Sequence, residues 1–67
     1  MAGSAYKKIE LVGTSGNSFA EAAANAVAEA AKTIRGMSWF EVVEQRGSIA
    51  DGKVQQYQVT VKIGYRD

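Results

Sequence analysis

Alanine dominates the one helical stripe in this chain, and that limits every fold open to it. Phe19, Ala22, Ala23, Ala26, Val27, Ala30, Ala31 and Ile34 recur at spacings of three and four, with Glu21, Asn25, Glu29, Lys32 and Arg35 on the opposite side. This is the pattern of an amphipathic helix. Ser18 stands three places before Glu21, a capping-box pattern, and Gly36 follows as a C-cap. The spacing predicts a helix over about 18–35. An alanine face lets a sheet come close to the helix axis but contributes little buried area, so the bulky core residues must come from strands.

Those strands are legible on both sides of the helix. Residues 6–13 alternate Lys7, Ile9 and Leu11 with Lys8, Glu10 and Val12, which predicts a first strand. A second is expected over about 39–49 and a third over about 54–65, joined by Ala50-Asp51-Gly52-Lys53, whose Asp-Gly is a strong hairpin signal. In the third strand Tyr57, Val59, Val61, Ile63 and Tyr65 share one face, and Gln58, Thr60, Lys62, Gly64 and Arg66 share the other. The second strand would send Phe40 and Val42 to the core and leave Trp39, Glu41 and Val43 outward. The same phase drives Glu44 and Arg46 inward, so a bulge or bend is expected around Gln45-Arg46-Gly47. The hairpin strands, at roughly 36–40 Å, outrun a helix of about 27 Å, and part of the hairpin must overhang. The predicted fold is α+β: a β-α-β-β order with a three-stranded antiparallel sheet wrapped around one helix, in a single domain over 1–67.

A domain of this length, 67 residues, buries only about 60% of the surface its unfolded chain exposes. Disulfides, a metal or self-association usually make up the deficit. With no Cys and no His, disulfides and the common zinc constellations are excluded, and so are the usual nucleophile and base partnerships of hydrolases. Self-association remains. Eight Lys plus Arg against seven Asp plus Glu leave a net charge of +1, which draws the chain to neither nucleic acid nor membrane. The start lacks the roughly 7–15 apolar residues of a signal peptide, and no stretch approaches the roughly 18 of a membrane span. A soluble, cytoplasmic protein is expected.

Few residues carry chemistry. Trp39, the sole tryptophan, serves either interface packing or stacking on an aromatic ligand. Gln58 is either a solvated strand residue or a donor and acceptor for a planar heterocycle. Arg46, beside Gly47, fits a phosphate or carboxylate, or an ion pair across an oligomer. Gly13-Thr14-Ser15-Gly16 before the helix hints at an anion cradle but lacks the spacing of a P-loop, and helix capping is the simpler reading. Glu10, Glu41 and Glu44 could pair for acid and base chemistry or hold a cation on an oligomer axis; solvated strand faces and ion pairs are the simpler reading.

Taken together, residues 6–15 (Tyr-Lys-Lys-Ile-Glu-Leu-Val-Gly-Thr-Ser), Ser38-Trp39-Phe40-Glu41-Val42, Arg46-Gly47, Tyr57-Gln58-Val59 and Gly64-Tyr65-Arg66 resemble the dodecin family in order and spacing across nearly the whole chain. The resemblance implies a hollow homododecamer that binds flavins as stacked pairs at two-fold contacts and performs no catalysis. Trp39 matches the family's ring-stacking tryptophan, Gln58 the glutamine on the ring's polar edge, and Arg46 an arginine near the flavin in bacterial members. Arg66 matches a basic position that serves either ligand contact or assembly. Trp39-Phe40 and Arg46-Gly47 follow the bacterial pattern, which favours FMN over riboflavin or FAD. Some members also bind coenzyme A, for which no motif is legible here. The rival classes are a purely structural assembly module, with Trp39 as interface packing, and a flavin-dependent enzyme.

Overall fold

A computed structural model describes residues 5–66, and the outermost ends of the domain expected over 1–67 lie outside the described residues. The elements are β1 (Lys7–Ser15), α1 (Phe19–Ala30), β2 (Met37–Ala50) and β3 (Lys53–Tyr65). The strands form one antiparallel sheet in the order β1-β3-β2, with α1 on one face. At the hairpin turn both Asp51 (φ 54°) and Gly52 (φ 74°) are left-handed. That is the type I′ geometry that Asp-Gly favours, because glycine takes positive φ without steric cost.

β3 is central, and its alternating pattern does the work expected of it. Val59, Val61 and Ile63 are buried against Ala22, Ala26 and Ala30, with Ile9, Leu11, Val27 and Tyr57 packed around them. The helix comes so close to β1 that a Cβ at Gly13 would overlap the Ala22 carbonyl oxygen and stand 2.8 Å from Ala26 Cβ. Glycine on the strand and alanine on the helix are therefore two halves of one contact.

Three expectations need correction. The helix ends at Ala30, not near Arg35: Lys32 and Thr33 donate to carbonyls three residues back (Glu29, 3.2 Å; Ala30, 3.1 Å). Such a tightened last turn satisfies the terminal carbonyls, and β-branched Thr33 and Ile34 gain little from continuing the helix. The C-cap is Ala31, and Gly36 (φ 73°) instead turns the chain towards β2, its carbonyl accepting from Arg66 N–H at 3.0 Å.

The second correction concerns the bulge, which falls at Val43 and not around Gln45-Arg46-Gly47. Register slips between Val42 and Glu44, so Glu44 and Arg46 pair with Thr60 and Gln58 on the helix-free face, while Gln45 and Gly47 pair with Val59 and Tyr57 on the helix side. A slip of one residue reverses every following side chain. Only a slip before Glu44 frees both charged residues from the core.

Phe40 and Val42 supply the third. They do face the helix side, opposite Ile63 and Val61, yet they are 49% and 47% exposed. The narrow helix seats on β1 and β3 and leaves β2 bare. At the other end, β1 stops at Ser15 opposite Tyr57, so the hairpin tip projects as a two-stranded ribbon with Ile49 74% and Val54 57% exposed. The molecule measures 55 × 20 × 13 Å, and its 13.9 Å radius of gyration exceeds the roughly 11 Å of a compact chain this long.

Gly13→Ala should cost about 3 kcal/mol, the upper part of the range for overpacking, because the new methyl meets backbone. Chemical denaturation measures this; an unchanged midpoint would show that the strand and helix do not touch there.

Candidate functional site

The helix-free face of the sheet carries the residues singled out above, in rows set by the register. Lys8, Gly64 and Trp39 form one row across the three strands, followed by Glu10, Lys62 and Glu41, then Val12, Thr60 and Glu44, then Thr14, Gln58 and Arg46. Trp39 lies over Gly64: a Cβ placed there would overlap the indole carbons Cε2, Cζ2 and Cη2 at nearly equal distances. Near-equality to three consecutive ring atoms means that Gly64 faces the flat of the indole and not its edge. Trp39 remains 41% exposed.

Two more side chains secure this end. Tyr6 meets the indole edge to face, with centroids 4.9 Å apart and planes at 68°. The Arg66 guanidinium stacks on the Tyr6 ring, Cζ 4.3 Å from its centroid, a favourable cation–π geometry. Arg66 Nε is buried without a hydrogen-bond partner among the described residues.

Gln58 and Arg46 sit elsewhere. They are cross-strand partners; Gln58 Nε2 donates to Gln56 Oε1 at 2.9 Å, and Arg46 Nη1 stands 4.0 Å from Glu44 Oε2. Gln58 and Gly64 are six residues apart on β3, roughly 20 Å along the strand. Within one chain, Trp39 with Arg66 and Gln58 with Arg46 are two separate clusters.

Charge on this face is internally compensated. Lys8 Nζ lies 2.7 Å from Glu41 Oε1, and that hydrogen bond, then the Lys8 charge, then Lys62, hold the Glu41 carboxyl below its ordinary value. Glu10 and Glu44 lie on neighbouring rows and on different strands from one another. Among the described residues no three Asp, Glu, His or Cys side chains gather as a metal site. At the helix start Ser18 Oγ caps Glu21 N–H at 3.0 Å, while the Glu21 carboxylate accepts from Ser15 Oγ (2.6 Å) and Asn17 Nδ2 (2.8 Å). Those bonds, the Ser15 hydroxyl first, lower the Glu21 pKa. The anion at this helix terminus is the chain's own carboxylate, as the capping reading requires.

A groove of about 540 Å³ lies on the opposite face, between α1 and β2, lined by Phe19, Ala23, Val27, Phe40, Val42 and Val59 among others. Its walls are almost wholly apolar, and none of Trp39, Gln58, Arg46 or Arg66 reaches it.

The family model for dodecins matches residues 5–67. This chain belongs to the dodecin family. It is 48% identical over 64 residues to the dodecin of Thermus thermophilus, covering 96% of this chain and 93% of that one. The dodecin of Streptomyces coelicolor superposes with a TM-score of 0.94 at 43% identity, covering 100% of this chain and 96% of the other. The calcium-chelating calcium dodecin of Mycobacterium tuberculosis is more distant, with a TM-score of 0.83 at 31% identity over 96% and 91% of the two chains. The dodecin fold read from the sequence is thus the fold observed. Sequence reasoning missed Tyr6 and Gly64. A glycine inside a strand pattern signals close approach of another group, but which group depends on a second register slip, between Met37 and Trp39, that sets Trp39 opposite Gly64.

Replacing Lys8 by Met should raise the Glu41 titration midpoint towards the ordinary carboxylate value, measurable by NMR of its side-chain carboxyl. Because the folded-state pKa is lowered, the small stabilisation from this exposed pair is present at neutral pH and is lost as pH falls through that midpoint. An unmoved midpoint would remove Lys8 as the cause.

Proposed function

We propose that the chain binds a flavin, FMN in preference to riboflavin or FAD, and stores or sequesters it within a homododecameric shell. The observation that carries this reading is the indole of Trp39, backed on one face by Gly64 and still 41% exposed. A flat aromatic surface supported from behind offers a planar ligand a stacking platform that is already in place, and pre-organisation lowers the cost of binding.

The residues present fit the group. Gln58 has an amide able to donate and accept along the imide edge of an isoalloxazine ring. Arg46, and Arg66, whose Nε has no hydrogen-bond partner among the described residues, offer cationic forks to the FMN phosphate; coenzyme A, with its phosphates, is a second ligand of the same chemistry. Since the Trp39 and Gln58 clusters are roughly 20 Å apart along the sheet, they reach one ring only when contributed by different copies. The site is therefore proposed at a two-fold contact, where a symmetric interface presents each cluster to the other.

Assembly is supported by what one chain leaves uncovered. A two-stranded ribbon is marginal in water, yet the tip carries Ile49 and Val54 outward, and Phe40 and Val42 line an open apolar groove. Exposed apolar surface on this scale marks interaction sites. Packed between indoles, a flavin has no open face for a substrate, and electron transfer from indole to the excited ring quenches it. Storage rather than turnover follows, and the family in general consists of binding proteins and not enzymes.

Titrating FMN fluorescence with size-matched assemblies of wild type, Trp39→Ala and Gln58→Ala tests the reading. Wild type should bind and quench. Trp39→Ala should lose quenching and about 1–3 kcal/mol of binding, as for base stacking on aromatic side chains, whereas Gln58→Ala should lose only about 0.5–1.5 kcal/mol and keep quenching. Equal quenching by intact Trp39→Ala would assign the indole to interface packing, and turnover with an electron donor would favour an enzyme.

A further inference from the structure

We infer that Gly64 is a positioning residue: by lacking a side chain it sets the depth at which the Trp39 indole lies on the sheet, and so the width of the slot left for a planar aromatic ligand. The ligand part of this inference rests on the flavin reading above; the seating of the indole does not.

Gly64 has no conformational reason to be glycine. Among the described residues the positive-φ glycines are Gly36 and Gly52, so Gly64 adopts backbone angles open to any residue. It sits in the central strand, paired with Lys8 on one side and Trp39 on the other, where glycine weakens a strand. What its missing side chain provides is room. The indole fills that space face-on, so that a Cβ there would run into Cε2, Cζ2 and Cη2, an aromatic ring covering a cross-strand glycine. Gly64 itself is buried while Trp39 is 41% exposed. The inner face of the indole is thus closed by backbone, and its exposure lies on the ligand side.

Depth and lateral position have separate causes. Gly64 fixes depth, while Tyr6, edge-on at 68° and itself capped by Arg66, stops the ring from sliding towards β1. A methyl at position 64 would lift the ring by roughly 1 Å, because carbon–carbon contacts relax only near 3.5 Å. In a slot bounded by two such indoles the displacement counts from both sides, and a flat ring stacked at contact distance cannot absorb it.

The test uses Gly64→Ala in the full chain, alone and combined with Trp39→Ala. Trp39 is the sole tryptophan, so emission and near-ultraviolet circular dichroism without flavin report the indole seat directly. Gly64→Ala should red-shift that emission, lower the melting midpoint, and weaken FMN binding about tenfold or more, equivalent to about 1.4 kcal/mol, in assemblies of unchanged size. In the Trp39→Ala background the same methyl should leave the melting midpoint nearly unchanged, since the group it strikes is gone. If Gly64→Ala fails to fold alone, folding of the double variant supports the inference, and failure of both overturns it. Wild-type emission with wild-type FMN affinity in Gly64→Ala, or equal destabilisation in both backgrounds, also overturns it. Should wild type fail to bind FMN while the emission shift and its dependence on Trp39 are seen, the flavin assignment falls and the seat stands.

Discussion

The close approach of an alanine-faced helix to two strands governs the rest of the molecule. Ala22 and Ala26 sit against β1 at a position where Gly13 admits no side chain, and the core consists of three alanines under Val59, Val61 and Ile63. A helix of 12 residues, about 18 Å long, cannot also cover β2 or follow a hairpin whose strands have 14 and 13 residues. What it leaves bare is apolar: Phe40 and Val42 along the groove, Ile49 and Val54 at the tip. A chain this small and this elongated has little interior of its own, and the proposed association with copies of itself would supply the missing burial.

The same geometry explains why the candidate site is divided. The candidate residues lie on the helix-free face, and there the register separates Trp39 and Arg66 at one end from Arg46 and Gln58 at the other. Neither cluster by itself carries both the indole and the Gln58 amide. The charged rows between them are partly self-neutralised by the Lys8–Glu41 pair. An interface can then bury this surface at lower cost than it could an unpaired charge.

Local patterns were legible in the sequence, and contacts that depend on register were not. The order of elements along the chain, the hairpin turn at Asp51-Gly52, the Ser18 cap and the buried face of β3 all follow from spacings within a few residues. The need for a bulge in β2 was also visible, because Glu44 and Arg46 could not both point inward. Its position at Val43 was not, since any slip before Glu44 satisfies the pattern and Gly47 is the more conspicuous residue. The apolar spacing overstates helix length, because Ile34 continues it after Ala30 although the backbone tightens at Lys32 and Thr33. Trp39 and Gln58 could be singled out by residue type and resemblance, but the seat under the indole required the pairing of Trp39 with Gly64 across two strands.

The central claim is that one planar ligand is held by two copies, stacked on Trp39 of one and hydrogen-bonded by Gln58 of another. A crystal structure of the assembly grown with FMN measures this directly. The account predicts the isoalloxazine ring flat against an indole that still rests on Gly64, with a Gln58 amide from a different copy on its polar edge. FMN contacted by Trp39 and Gln58 of the same chain, or lodged in the apolar groove between α1 and β2, would contradict it.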